Sequence, residues 1–155
     1  MFRFICIFLL VALSGCASFY EPIPQGYSGE TATVMDSYAN KTSLDAHYFY
    51  VTKIDEKRVE TSWYLTRVAH IGKGTMFSPI IKEHQVTTQE QTFSVIGHIF
   101  YPTDAQGLFS DDLTVEKNVT FSPKAGEVYT VKGKLSPQGS TIWIEDSSGR
   151  KVADS

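Results

Sequence analysis

Val119-Thr120-Phe121-Ser122-Pro123-Lys124-Ala125-Gly126-Glu127-Val128-Tyr129-Thr130-Val131-Lys132-Gly133-Lys134-Leu135 contains two apolar runs of period two with a Pro/Gly turn between them. Leu113, Val115, Val119 and Phe121 share one parity, with Lys117 as the exception, and Tyr129, Val131, Gly133 and Leu135 share the next. Side chains alternate faces along a strand, so this pattern is that of strands with one buried side. Pro123 to Gly126 supplies the turn residues. Ser136-Pro137-Gln138-Gly139 repeats the signal, Ile142 and Ile144 give another inward face, and Ser147-Ser148-Gly149 turns into a short end strand near Val152. Evenly spaced strands with Gly/Pro turns predict an all-β fold, a small antiparallel β-sandwich, with a partly open β-barrel as the alternative.

Towards the N-terminus the same signal continues. Residues 91–101 read as a strong strand with Phe93, Val95 and Ile99 on one face and Gly97 in register between them. A glycine inside a strand marks a bulge or a close backbone approach. Residues 47–54 place Phe49 and Val51 on one face and Tyr48, Tyr50 and Ile54 on the other. Asp55-Glu56-Lys57-Arg58 is a polar turn, from which residues 59–66 are expected to pair back as a hairpin. Residues 31–35, 76–81 and 84–88 are shorter strand candidates, and Gly72-Lys73-Gly74 begins a loop. No helical pattern of ten or more residues stands out.

The N-terminus has a different character. Arg3 precedes an almost wholly apolar run over 5–13, followed by the small residues Ser14 and Gly15 and then Cys16. This is the three-part pattern of a secretory signal, and it is too short for a transmembrane helix, which needs about 20 apolar residues. Leu13-Ser14-Gly15-Cys16 resembles the lipobox of bacterial lipoproteins. The resemblance implies a signal peptide over 1–15, cleavage before Cys16, and diacylglycerol and acyl chains on Cys16. A buried chain contributes about 0.8 kcal/mol per CH₂, so one acyl chain binds weakly and several hold firmly. Ala17 stands where inner-membrane-retained relatives carry Asp, so the resemblance implies the outer membrane, with the protein facing the periplasm. Residues 16–29 carry Pro22, Pro24, Gly26 and Gly29 and read as a tether. At about 3.1 Å per residue such a segment could span up to roughly 40 Å, although Phe19, Tyr20 and Tyr27 argue for contact with the domain or the headgroups. Residues 30–155 then form one domain.

The 155 residues include 14 basic and 17 acidic side chains, for a formal net charge of −3. A mildly acidic protein without a basic cluster is a poor match to nucleic acid or to anionic headgroups; Lys53, Lys57 and Arg58 sit beside Asp55 and Glu56. Of the two cysteines, Cys6 lies in the signal region and Cys16 is the expected lipidation site. The domain therefore offers no thiol for a disulfide, a nucleophile or a zinc-thiolate site.

No residue pattern announces catalysis or a cofactor. His47, His70, His84 and His98 lack metal-ligand spacing and are expected on the surface or rim of strands. There is no Gly-x-Ser-x-Gly elbow. Asp111-Asp112 and Glu145-Asp146 read as solvated turns, with a loose calcium contact at Asp146 and Ser148 as the functional alternative. Gly72-x-Gly74 lacks the rest of a phosphate loop. Aromatic richness is the positive signal: Trp63, Trp143, Tyr48, Tyr50, Tyr64 and Tyr101 exceed what a small core needs. Trp143 alternates with Ile142 and Ile144 and should face outward, and exposed Trp and Tyr favour protein or sugar contacts. Trp63, Tyr64 and Trp143 are the candidate contact surface.

Residues 119–133, Ile142-Trp143-Ile144-Glu145-Asp146, Gly149 and the hairpin over 47–59 are together similar to small proteobacterial lipoproteins of uncharacterised function. They are similar also to PEGA-type and carboxypeptidase-regulatory-type β-sandwich domains, although no Pro-Glu-Gly-Ala run occurs here. The resemblance implies a small sandwich serving as an envelope accessory or contact module, with no catalytic residues to carry over. The expected function is that of a membrane-anchored periplasmic lipoprotein, a non-enzymatic binding or scaffolding module whose partners are the bilayer, through Cys16, and an envelope protein. A glycan binder, of peptidoglycan for example, is the alternative. A hydrolase with a triad assembled by the fold is the third reading.

Overall fold

The computed structural model describes residues 18–74, 76–103, 105, 108 and 113–152. Nine strands and helix α1 are named in chain order: β1 (Thr31–Met35), β2 (Ser37–Ala39), β3 (Ala46–Ile54), β4 (Lys57–Arg58), α1 (Ser62–His70), β5 (Glu83–Thr87), β6 (Gln91–Phe100), β7 (Thr114–Phe121), β8 (Val128–Lys134) and β9 (Thr141–Glu145). They form two sheets with free ends rather than a closed barrel. The first has the order β5-β1-β8-β9; the second has the order β2-β3-β6-β7, with β4 also paired to β3. The expected all-β sandwich is the fold observed. One pair departs from antiparallel: β1 runs parallel to β8, with Val34 opposite Tyr129.

The core lies between the sheets. Ala32, Val34, Val86, Tyr129, Val131, Ile142 and Ile144 come from the first, and Phe49, Val51, Ile54, Phe93, Val95, Val119 and Phe121 from the second. The turn at 123–126 closes as its residues suggest: Gly126 has φ +70°, and Lys124 N–H donates to the Tyr129 hydroxyl at 3.0 Å. Gly97 marks a close approach, not a bulge. The ring of buried Phe49 fills the space that a Cβ on Gly97 or on Gly133 would take.

The bulge sits in β3, where pairing with β6 slips between Val51 and Lys53. One extra residue reverses the facing of everything beyond it. Ile54 therefore joins Phe49 and Val51 in the main core, and does not share a face with Tyr48 and Tyr50 as its parity suggested. Those tyrosines lie on the outer side of the second sheet, in a separate cluster with Ala46, Phe77 and Phe100, against which Trp63 and Ile96 pack.

That second cluster exists because residues 59–66 do not pair back as a strand. A two-residue turn at Asp55 and Glu56, both with positive φ, reverses the chain, but the ladder stops at Arg58. Thr61 then takes an N-cap geometry and its side chain accepts from Tyr64 N–H, which starts α1. Val59, Thr61, Trp63 and Leu65 mimic a strand period, yet Ser62 and Thr66 are the helix's buried residues. Arg67 in the last turn complements the helix dipole. Residues 76–81 also form no strand; Phe77 leaves the loop to fill the outer cluster. At the C-terminus the expected end strand is one bridge, Glu145 to Lys151.

The Phe49 packing generates a direct test. A methyl group on Gly133 would overlap the Phe49 ring and stand 2.7 Å from the Thr141 carbonyl oxygen, and the backbone cannot move as a flexible side chain would. Gly133→Ala should destabilise the fold by about 1–3 kcal/mol, the usual cost of overpacking. Urea unfolding followed by tryptophan emission measures it; an unchanged midpoint would refute the close approach.

Candidate functional site

Ser, Asp and His side chains do converge in this fold, at Asp36. This residue occupies the corner where the chain leaves β1 in one sheet and enters β2 in the other. It is fully buried. Its Oδ1 accepts from Val51 N–H at 2.9 Å. Its Oδ2 accepts from Ser62 N–H at 2.9 Å and from the Ser62 hydroxyl at 2.8 Å. His84 Nε2 stands 3.5 Å from Oδ1 and has no hydrogen-bond partner of its own. Ser62 Oγ accepts in turn from Lys82 N–H at 2.7 Å, and Asp36 N–H donates to the Lys82 carbonyl. Burial, then the negative charges of Asp36 and Glu116, push the nearby Tyr50 phenol well above its usual range.

The order of these groups is not that of a hydrolytic triad. A triad needs the imidazole between hydroxyl and carboxylate, so that it takes the nucleophile's proton. Here the carboxylate is in the middle and the Ser62 hydroxyl donates its hydrogen bond to Asp36. Both Ser62 and His84 are buried, so no substrate atom reaches them. The cluster is a clasp joining the β1–β2 corner, β3, the start of α1 and the entry to β5. His84 also corrects the expectation of surface histidines: it lies on the inward parity of β5, facing Asp36. His70 likewise has a structural task. Its Nδ1 faces the Thr66 carbonyl at 2.8 Å and its Nε2 accepts from Ser78 N–H at 3.1 Å, which pins the loop after α1.

The carboxylate of Asp146 is occupied rather than open to calcium. Oδ1 accepts from Ser148 N–H, the Ser148 hydroxyl and Arg150 N–H, and Oδ2 accepts from Arg150 Nε at 3.1 Å. The Ser148 hydroxyl is the main cause that draws the Asp146 pKa down to about 2. Among the described residues no group of three or more His, Cys, Asp or Glu is placed to hold a metal ion. Asp111 and Asp112 lie outside the described residues, as does Cys16.

The three aromatic candidates are not brought together. Trp63, on α1, is half-buried and packs edge-on to His98 and Phe100, with the Arg67 guanidinium over its ring. Tyr64, one residue on, is exposed and meets Phe19 edge-on at 5.3 Å. Trp143 belongs to β9 in the other sheet, opposite Lys132. Its indole N–H donates to Glu145 at 2.9 Å, and the Lys151 ammonium lies 4.2 Å from the ring centre. Because Ile142 and Ile144 point inward, Trp143 lies on the outer side of the first sheet, with the whole sandwich between it and α1. Beside α1 is a groove of about 510 Å³ whose wall carries Lys41, His70, Lys73, Met76 and Phe77. The Lys41 ammonium covers the Phe77 ring at 4.9 Å.

The chain ahead of β1 also lies against the domain. Tyr20 N–H donates to the Arg58 carbonyl at 2.8 Å. Lys57 sits over the Tyr20 ring and Arg58 over the Phe19 ring. Pro22 is buried. From Phe19 onward the segment is therefore not a free spacer, and its reach is much shorter than its length allows. Comparison with protein-family models, with curated proteins and with solved structures found no match to this chain.

Two expectations follow. Asp36→Ala leaves the Val51 and Ser62 donors buried without an acceptor, and should destabilise the protein by about 3 kcal/mol or more. Ser62→Ala, which mainly orphans Lys82 N–H, should cost about 1–3 kcal/mol; equal and negligible losses in urea titrations would refute the clasp. The second concerns pH. The Asp146 pKa is depressed in the folded state, so its contribution is present above the ordinary value of 3.8 and is lost as pH falls through about 2. The Tm difference between the parent and Asp146→Ala should shrink over that interval, and a constant difference would count against the carboxylate's role in the turn.

Proposed function

We propose that this protein is a lipid-anchored, non-enzymatic contact module of the bacterial cell envelope, attached through Cys16 to the outer membrane and facing the periplasm. The observation that carries the reading is the Leu13-Ser14-Gly15-Cys16 run at the end of an apolar signal-like segment. The burial of the Ser62, Asp36 and His84 side chains supports a module without catalysis, because the place where these groups meet among the described residues is closed to substrate. The outer side of the first sheet is the contact surface of this reading. It carries Trp143, Lys132, Lys151 and the exposed Val128. A half-buried tryptophan between charged neighbours suits a protein partner, since Trp is enriched where partners bind most strongly.

A second reading, binding of a glycan such as peptidoglycan, draws support from the groove beside α1. Lys41 and Lys73 stand over an apolar floor there, and peptidoglycan fragments carry carboxylates. The Lys41 ammonium on the Phe77 face leaves that ring closed to a stacked sugar, which is why the protein partner is preferred.

Cys16→Ser should move the protein from the membrane fraction to the soluble fraction without lowering its Tm; persistence in the membrane fraction would sink the anchor. A photo-crosslinking residue at position 143 in living cells should capture one dominant envelope protein from the lipidated form. Capture of nothing at 143, with sedimentation on purified sacculi that Lys41→Ala and Lys73→Ala abolish, would favour the glycan reading instead.

A further inference from the structure

Helix α1 leaves one apolar stripe uncovered. Tyr64, Val68 and Ile71 follow the spacing i, i+4, i+7 and so line one side of the helix and its C-cap. Their exposures rise along it, 39%, 49% and 74%, and Met76 in the following loop is 81% exposed. A monomeric protein seldom leaves such a row to water without a use for it. The stripe begins beside the N-terminal segment, where Phe19 packs on Tyr64.

Phe19 is three residues after Cys16. At most about 3.6 Å per residue, the chain between them spans no more than about 11 Å. An acylated Cys16 would thus hold Phe19 within that distance of the anchor, and the Phe19 ring lies 5.3 Å from that of Tyr64 at the near end of α1; the helix is only about 13 Å long at 1.5 Å per residue. Charge points the same way. From Thr61 to Lys82 there is not one Asp or Glu, while Arg67 and Lys73 lie within it, in a chain that is acidic overall; Lys82 at its end pairs with Glu60. Arg58 flanks the stripe at its start. An apolar stripe edged by cations matches an interface of acyl chains beneath anionic headgroups, into which such helices sink about 5–10 Å.

We infer that α1 lies on the bilayer that carries the protein's own anchor, with Phe19, Tyr64, Val68 and Ile71 at the headgroup–acyl boundary. The inference rests on the lipid-anchor reading. It turns the outer side of the first sheet, with Trp143, away from the membrane.

The domain contains no cysteine after Cys16, and a lipidated Cys16 has no free thiol, so single labelling sites can be introduced. The lipidated protein carrying Ile71→Cys, or Lys134→Cys on the first sheet, would be labelled with an environment-sensitive fluorophore. It would then be reconstituted in phosphatidylethanolamine vesicles containing phosphatidylglycerol. The label at 71 should shift to the blue and lose emission when doxyl-labelled lipid is included; the label at 134 should do neither. Adding Val68→Glu should abolish the quenching at 71 with the Tm retained. Mass measurement of the N-terminal peptide reports the anchor separately. Acylated Cys16 with an unquenched label at 71 overturns the docking and leaves the anchor standing. So does a label at 71 that is shielded in cells but not in vesicles, since a protein then covers the stripe. An unmodified Cys16 removes the lipid-anchor reading and the inference with it.

Discussion

The Asp36 carboxylate sits at the corner where the chain crosses from one sheet to the other, and three separate segments reach it. It accepts from β3 and from the first residue of α1, faces His84 on β5, and its backbone N–H holds Lys82. A charge buried without donors is too costly to persist, so the donors must all be in place for the corner to close. That requirement couples the end of β1, the bulged stretch of β3 and the start of the helix into one cooperative unit. The bulge adjoins it: Val51 N–H donates to the carboxylate, and just beyond Val51 the ladder to β6 slips by one residue.

The consequences spread to both sides of the second sheet. Once Ser62 is captured, the chain after β4 turns into α1 and lies over the outer side of β3 and β6. Tyr48, Tyr50 and Phe100 are then buried on a side that a simple two-layer sandwich leaves in water. Burial pushes the Tyr48 phenol up to about 12, against the hydrogen bond it shares with Thr66 at 2.9 Å, which acts the other way. The first sheet receives no such cover from α1. The molecule is therefore two-sided, with a helix bearing exposed apolar residues on one side and an open sheet with Trp143 on the other. This polarity is the physical basis of the proposal that one side meets a membrane and the opposite one a partner.

The candidate surfaces were only partly legible in the chain. Trp143 was placed correctly on an outward parity because Ile142 and Ile144 are strong inward markers. The apparent period two around Trp63 and Tyr64 predicts a strand, on which they would face opposite ways; on α1 one seals the outer cluster and the other starts the exposed stripe. The signal for that stripe was present as the spacing of Tyr64, Val68 and Ile71 and the absence of acids from Thr61 to Lys82. It was masked by β-formers of apparent period two between Val59 and Leu65, and by an overall acidic charge that concealed a local basic bias. The Asp36 clasp had no local signal, since its members lie far apart in the chain.

What the sequence determined by itself is whatever depends on near neighbours: alternation along β6, β8 and β9, the Pro/Gly turns between strands, and the lipobox-like run ahead of the domain. Side-chain parity and turn chemistry act over a few residues, so they can be read directly. Tertiary structure alone decided that residues 62–70 are helical, that β1 runs parallel to β8, that Ile54 changes face, and that Trp63 and Trp143 lie on opposite sides. Each of these depends on a partner distant in the chain: Asp36 for Ser62, Val128, Tyr129 and Thr130 for β1, and the slipped pairing with β6 for Ile54. Weak local preference yields to a buried carboxylate that must find its donors.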